Sequence, residues 1–258
     1  MARIEKDFLG EKQLPDDAYY GVQTLRGKEN FHITGIPMSL EPNFIKAFGY
    51  AKKAAALANR DLGVLDARIA DAIAKACDKL IAGEMRDQFV TDFIQGGAGT
   101  STNMNANEVI ANLALESLGH KKGEYQHVNP NDHVNYGQST NDMYPTAFRL
   151  ALIMRLESYM ASLTALQEAF FAKGREFDKV LKMGRTHLQD AVPMSLGQEF
   201  HGWGTTIGEE VQRIAEVRQF LHEINLGATA IGTTVTAAPG YPELATKYLS
   251  ELTGRTFI

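Results

Sequence analysis

The stretch STNDMYPTAFRLALIMRLESYMASLTALQEAF, residues 139–170, decides the fold class. Phe148, Leu152, Leu156, Tyr159, Leu163, Leu166 and Phe170 recur in it at spacings of three and four, which puts them on one face of an α-helix. Ser139, Thr140 and Asn141 are good caps just upstream, and Pro145 fits a first helical turn. The pattern predicts a helix of about 30 residues, roughly 45 Å long at 1.5 Å per residue. Leu196, Phe200, Trp203, Ile207, Val211, Ile214, Val217, Leu221 and Ile224 repeat it after Pro193. Two such helices joined by a polar loop are half of a large helical bundle. The aromatic and Met residues on these stripes are core fillers. The fold class is mainly α.

Working outward, residues 1–40 are punctuated by Gly10, Pro15, Gly21, Gly27, Gly35 and Pro37, which predicts extended or short-strand structure. From about Pro42 the pattern turns helical. Ile45, Phe48, Ala51, Ala55 and Leu57 mark one helix, and Ile69, Ile73, Ala76, Leu80 and Ile81 a second. A third is expected from near Asn103 to Leu118, with Gly119 as C-cap. Residues 226–240 form a small-residue connection, and Pro242 to Thr253 starts another helix. The expected division is an N-terminal mixed and helical domain, 1–141, followed by the first long helices of a central bundle domain, 142–258.

The 258 residues can bury a real core, and 44% hydrophobic with 22% charged residues is ordinary for a globular protein. The net charge of −5, with no basic stretch to offset it, argues against nucleic acid as a partner. Cys77 is the lone cysteine, set among alanines and aliphatics, and reads as a buried inert thiol in a reducing cytoplasm. The N-terminus shows no secretion signal, and no run of 18 apolar residues suggests a membrane span.

Three Gly- and hydroxyl-rich segments carry the chemistry: Gly96–Asn105, Asn129–Asp142 and Gly184–Asp190. The last two lead into the long amphipathic runs and read as loops at helix N-termini, where backbone N–H groups and the helix dipole favour anions. Gly96–Gly99 lacks both the Walker sequence and the Rossmann glycine spacing. Thr100, Ser101, Thr102, Asn103 and Asn105 beside it suit hydrogen bonding to a small anion. Ser139, Thr140, Asn141 and Asp142 can cap the long helix and still leave donors at its positive end. His187 follows Gly184-Arg185-Thr186 in a polar loop and is read as a site residue. His127 and His133 flank Asn129–Asp132 without an HExxH, paired Cys or carboxylate cluster, so no metal site is expected. No Gly-x-Ser-x-Gly elbow is present. The segments describe a pocket that holds a carboxylate and manages a proton.

These segments resemble the aspartase/fumarase superfamily. The likeness lies in 97–105, in Asn131–Ala147 and in Gly184–Phe200, and extends to Tyr19–Arg26, Gly119–Gln126 and Asn225–Gly232. Ala98, Ser139-Thr140 and Leu226–Ala230 resemble the aspartase branch rather than the class II fumarases, which usually read Gly-Ser-Gly-Thr and Ser-Ser-Asn. The resemblance implies reversible deamination of L-aspartate to fumarate and ammonia, without metal or organic cofactor, by a homotetramer whose active sites are shared between subunits. It implies that Thr100, Ser139, Thr140 and Asn141 bind the substrate, and that Thr186 and His187 reach the site, His187 in a supporting catalytic role. It places the catalytic serine, on a mobile Gly-Ser-Ser loop, beyond residue 258, so the chain is expected to be an N-terminal portion and inactive alone. Ile231–Thr236 departs from the family's Ile-Gly-Thr-Gly-Leu-Asn, with Thr234 in place of a glycine. A class II fumarase and a non-catalytic helical assembly module are the competing readings.

Overall fold

The structure, a computed structural model, describes residues 2–258. Two compact units share the chain: residues 2–152 with 222–258, and residues 153–221.

The first unit opens with an antiparallel hairpin, β1 (Ala2–Asp7) on β2 (Gly10–Pro15), with Ala2 opposite Pro15. The strands agree with the expected extended structure, but α1 (Val22–Asn30) does not. No apolar period marks that helix, and it has no side-chain cap of its own. Its N-terminus is capped from a distance. Glu108 accepts from the N–H groups of Gly21, Gln23 and Thr24 at 2.8, 2.9 and 3.0 Å and from Thr24 Oγ1 at 2.6 Å, while Glu5 accepts from Val22 N at 2.9 Å. Two carboxylates at the positive end of the dipole supply what the local sequence lacks.

Helices α2 (Pro42–Asp61) and α3 (Ala67–Ala82) form the expected pair. Pro42 starts α2 at a position where no N–H is needed. Asp66 caps α3 by accepting from Arg68 N and Ile69 N, and Gly83 ends it in the left-handed conformation. The two backbones approach closely at Gly49, where a Cβ would crowd Cys77 O and the Ile81 side chain. Cys77 is fully buried, and burial pushes its thiol up to about 12. Helix α7 (Tyr241–Thr253) also packs on α2.

Helix α4 (Thr100–Ser117) begins one turn earlier than the periodicity indicates. It is buried on all sides from Thr102 to Leu115, so its polar side chains work inside the core. Asn105 accepts from Val90 N and donates to Gln88 O; Asn112 donates to Tyr19 O and accepts from Gly123 N. These bonds pin irregular segments that have no other regular partner.

Helix α5 (Thr140–Glu176) has 37 residues, about 55 Å of helix. Pro145 lies inside it rather than in the first turn. The missing N–H would have met Asn141 O, which instead accepts from Asn225 Nδ2 at 3.1 Å. The first four turns of α5 belong to the first unit and bury Met143, Ala147 and Leu150.

The second unit contains the remainder of α5, the hairpin of β3 (Leu181–Thr186) and β4 (Gln189–Ser195), and α6 (Leu196–Arg218). Ser195 and Gln198 form a reciprocal capping box at the start of α6. Helices α5 and α6 run antiparallel. A Cβ at Gly208 would meet Gln167, at Gly204 would meet Phe171, and at Gly197 would meet the Gly174 carbonyl. Phe170, Phe200 and Trp203 cluster between them, with Phe200 and Trp203 centroids 4.9 Å apart. The mainly α reading and the long antiparallel pair agree with this architecture.

Candidate functional site

Of the expected site residues, Thr100 opens α4, and Ser139, Thr140 and Asn141 lie at the start of α5. Gly97 and Gly99 carry the chain into α4 with φ of +74° and +97°. A Cβ at Gly99 would collide with the Tyr144 ring on α5, so the glycine lets the loop sit on the first turns of that helix. Thr100 Oγ1 donates to Gly97 O at 2.6 Å, closing the turn. Thr100 also lines an open groove of about 420 Å³ with Arg26, Phe31, Ser101, Met104 and Asn131. Arg26 is held there by Asp7, at 2.7 and 2.8 Å.

The start of α5 is doubly capped. Ser139 Oγ accepts from Asn141 N at 3.2 Å, and Asp142 Oδ1 accepts from Ser139 N at 2.9 Å. Asp142 Oδ2 also accepts from Gly227 N and Thr229 N at 3.0 Å each. The exposed Asn141 donates to Ala230 O at 2.8 Å. The segment Asn225–Gly232 thus folds directly onto Ser139–Asp142. Burial raises the Asp142 carboxyl above its ordinary value, opposed by the three backbone N–H groups and the nearby Lys52.

Beneath Thr140 lies a polar network that joins Asn103 and Asn135, both in the polar segments, to Lys52, which lies outside them. Asn103 Nδ2 donates to Thr140 Oγ1 at 3.1 Å and to Asn135 Oδ1 at 3.2 Å. Asn135 Oδ1 also accepts from Lys52 Nζ at 2.8 Å and from Asn107 Nδ2 at 3.2 Å. Lys52 Nζ donates further to Gln138 Oε1 at 2.8 Å. Lys52 is completely buried, and burial lowers it to about 7, against the attraction of Asp142. Asn103 Oδ1 is buried beside Thr140 without a partner among the described residues, which leaves acceptor capacity at this point. The signal available in the sequence was a lysine inside an alanine-rich apolar stripe, where a cation needs buried acceptors.

The third segment differs from expectation. Gly184–Asp190 is not a loop at a helix N-terminus; it is the tip of the β3–β4 hairpin. Arg185 pairs with Asp190 and Thr186 with Gln189, leaving His187 and Leu188 as a two-residue turn. Their φ values of +48° and +61° are those of a type I′ turn, which suits the twist of a hairpin but disfavours residues with a Cβ. Thr186 and His187 are both exposed on the second unit. The strands escaped the sequence reading because no Asn-Gly or Asp-Gly marks the turn.

Thr234, where the resemblance implies a glycine, adopts a left-handed conformation. Its φ is +57°, and its N–H donates to Ala228 O at 3.3 Å. A β-branched residue holds that conformation at a cost of about 1–2 kcal/mol.

The chain is mainly helical, with hydroxyl and amide groups at the starts of α4 and α5. Comparison with known proteins makes the class specific. The lyase family profile matches residues 10–258. Aspartate ammonia-lyase of Pseudomonas aeruginosa is 56% identical over 255 residues, which are 98% of this chain and 54% of that protein. A solved structure titled fumarate lyase:delta crystallin from Brucella melitensis bound to cobalt superposes with a TM-score of 0.96 at 51% identity, covering 100% of this chain and 56% of the other. Class II fumarase from Schistosoma mansoni follows with a TM-score of 0.90 at 36% identity, over 98% of this chain and 53% of the other. The chain belongs to the lyase family, within the aspartase/fumarase superfamily, and sides there with the aspartate ammonia-lyases. It spans about half the length of the curated relatives it matches.

Among the described residues no helix is long and apolar enough to cross a membrane.

Proposed function

We propose that the whole protein catalyses the reversible deamination of L-aspartate to fumarate and ammonia. The observation that supports this reading is the set of hydroxyl and amide groups of Ser139, Thr140 and Asn141 at the start of α5, beside the unpartnered Asn103 oxygen, with Thr100 at the start of α4. Relatives named aspartate ammonia-lyase, 56% identical in one case, support the same substrate.

Removing a proton from the carbon next to a carboxylate places negative charge on that carboxylate, and the amine then leaves as ammonia while the double bond forms. Donors fixed in advance stabilise this charge more than the ground state. Thr100, Ser139, Thr140 and Asn141 hold the β-carboxylate and amino group in this proposal. Thr186 and His187, on the hairpin tip, serve a composite site in a homotetramer, with His187 supporting the proton traffic. The exposed apolar residues of α5 and α6, among them Tyr159, Leu166, Trp203 and Val217, support the assembly. A domain boundary at Asn141/Asp142, where the long helices begin, and a cytoplasmic location belong to the same proposal.

The test is fumarate formation from L-aspartate by the whole protein, followed at about 240 nm, with L-malate in a parallel assay. Turnover of aspartate above a control preparation is expected. Turnover of malate without aspartate would replace this reading with the fumarase one.

A further inference from the structure

We propose that His120, Glu124 and His127 form a site for one divalent transition-metal ion of the Zn²⁺, Co²⁺ or Ni²⁺ type. The three side chains offer two imidazole nitrogens and a carboxylate oxygen, and these ligand atoms all lie within 4.8 Å of one another. His120 Nδ1 stands 3.6 Å from Glu124 Oε2. The two imidazole rings face each other with centroids 3.8 Å apart and planes within 10°. Ligand bonds of about 2.0–2.2 Å put neighbouring ligand atoms of a tetrahedral ion about 3.4 Å apart, so closure needs side-chain rotation and no backbone shift.

The backbone that carries the ligands is fixed at several points. His120 is the residue after the left-handed Gly119, and its N–H donates to Leu115 O at 2.9 Å while Gly119 N donates to Glu116 O at 3.0 Å, a Schellman ending of α4. Gly123 N donates to Asn112 Oδ1 at 2.8 Å, and Tyr125 reaches into the core, where its hydroxyl meets Glu5 and Asn112 at 3.1 Å each. His127 N donates to Glu124 O at 3.0 Å, and Val128 next to it is fully buried. Lys121 N donates to Glu124 Oε2 at 3.0 Å, the kind of outer donor that orients a ligating carboxylate. The neighbouring cation Lys122 is engaged over the Tyr19 ring, 4.4 Å from its centre.

The donor set selects the ion. Two imidazoles with one carboxylate suit Zn²⁺, Co²⁺ or Ni²⁺, whereas Mg²⁺ and Ca²⁺ prefer oxygen alone. Three protein ligands leave a position for water, and the exposed His127 opens the site to solvent. None of the three residues has a role in the proposed reaction. The expectation of no metal site near His127 and His133 did not bring Glu124 and His120 together with His127; His133 is outside the cluster, its Nδ1 accepting from Asn129 N at 2.9 Å.

The test uses the whole protein, stripped with chelator and titrated with Co²⁺ while visible absorption is recorded, then with Zn²⁺ by calorimetry. One equivalent per chain is expected, without competition from Mg²⁺. His120→Ala and His127→Ala should each weaken binding at least about tenfold, with metal-free thermal midpoints unchanged. His32→Ala, remote in sequence from the cluster, should bind as wild type. The absence of a Co²⁺ absorption band overturns the site, as does affinity that survives both cluster substitutions or falls equally with His32→Ala.

Discussion

Helix α4 and the outer half of the α5–α6 pair reverse the usual assignment of residue types. Helix α4 buries Thr102, Asn103, Asn105, Asn107, Glu108 and Asn112, while the outer pair exposes Tyr159, Leu166, Trp203 and Val217. The buried polar groups are mostly accounted for by named partners. Each holds a loop or a helix end in place, and the site loops are among those held. The exposed apolar groups have no comparable set of partners among the described residues, and the proposed assembly is what would cover them. Polar residues inside therefore hold loops and helix ends in place, and the proposal gives the apolar residues outside to subunit contacts.

The comparison breaks most sharply at Glu108. Removing this carboxylate orphans the donors at the start of α1, so Glu108→Ala is expected to lower stability by about 3–5 kcal/mol in denaturant unfolding. A loss below about 1 kcal/mol would mean that α1 does not depend on α4.

Lys52 sharpens the same point through pH. Its ordinary value is 10.5 and burial lowers it to about 7. Between those values the unfolded chain holds a proton that the folded chain has released, so stability rises with pH in that window, by at most about 1.4 kcal/mol per unit. Lys52→Met removes this contribution. The stability of wild type minus that of the variant should therefore grow from pH 7 to pH 10, and a flat difference would contradict the burial account.

On the outer pair, Leu166→Glu places a charge on an exposed apolar face. The folded subunit should be unaffected, but association should weaken by about 2 kcal/mol per affected interface, read as dissociation in sedimentation. A variant that stays tetrameric, or a wild type that is monomeric at micromolar concentration, would remove the role given to this face. Thr234→Gly should have the smallest effect, a gain of about 1 kcal/mol in thermal unfolding from relief of the left-handed strain.

The helices α2 to α7 were legible because their apolar residues keep a helical period that tertiary packing then uses. Helix α1 was not, because its stabilisation comes from Glu5 and Glu108, far away in sequence. The β3–β4 hairpin was not, because its turn is made by His187 and Leu188 under strain. At the site, the hydroxyl and amide residues, Asn103 among them, are legible in the polar segments, but Lys52 and its meeting with Asn135 and Gln138 are not. A buried network is defined by which side chains meet, and spacing alone does not reveal that.

In the proposed function, the loops at the starts of α4 and α5 and the residues Thr186 and His187 of the whole protein each take part in aspartate turnover. This claim is tested most directly by measuring kcat/KM for L-aspartate and the thermal midpoint on the same three variants of the whole protein, Thr100→Val, Asn141→Ala and His187→Ala. Loss of one hydrogen bond to a charged group is worth about 1.5–3 kcal/mol, so kcat/KM should fall roughly 10- to 150-fold in each, with the midpoint little changed for His187→Ala. Near wild-type kinetics in all three, with lowered midpoints, would contradict it and leave these loops a purely structural role.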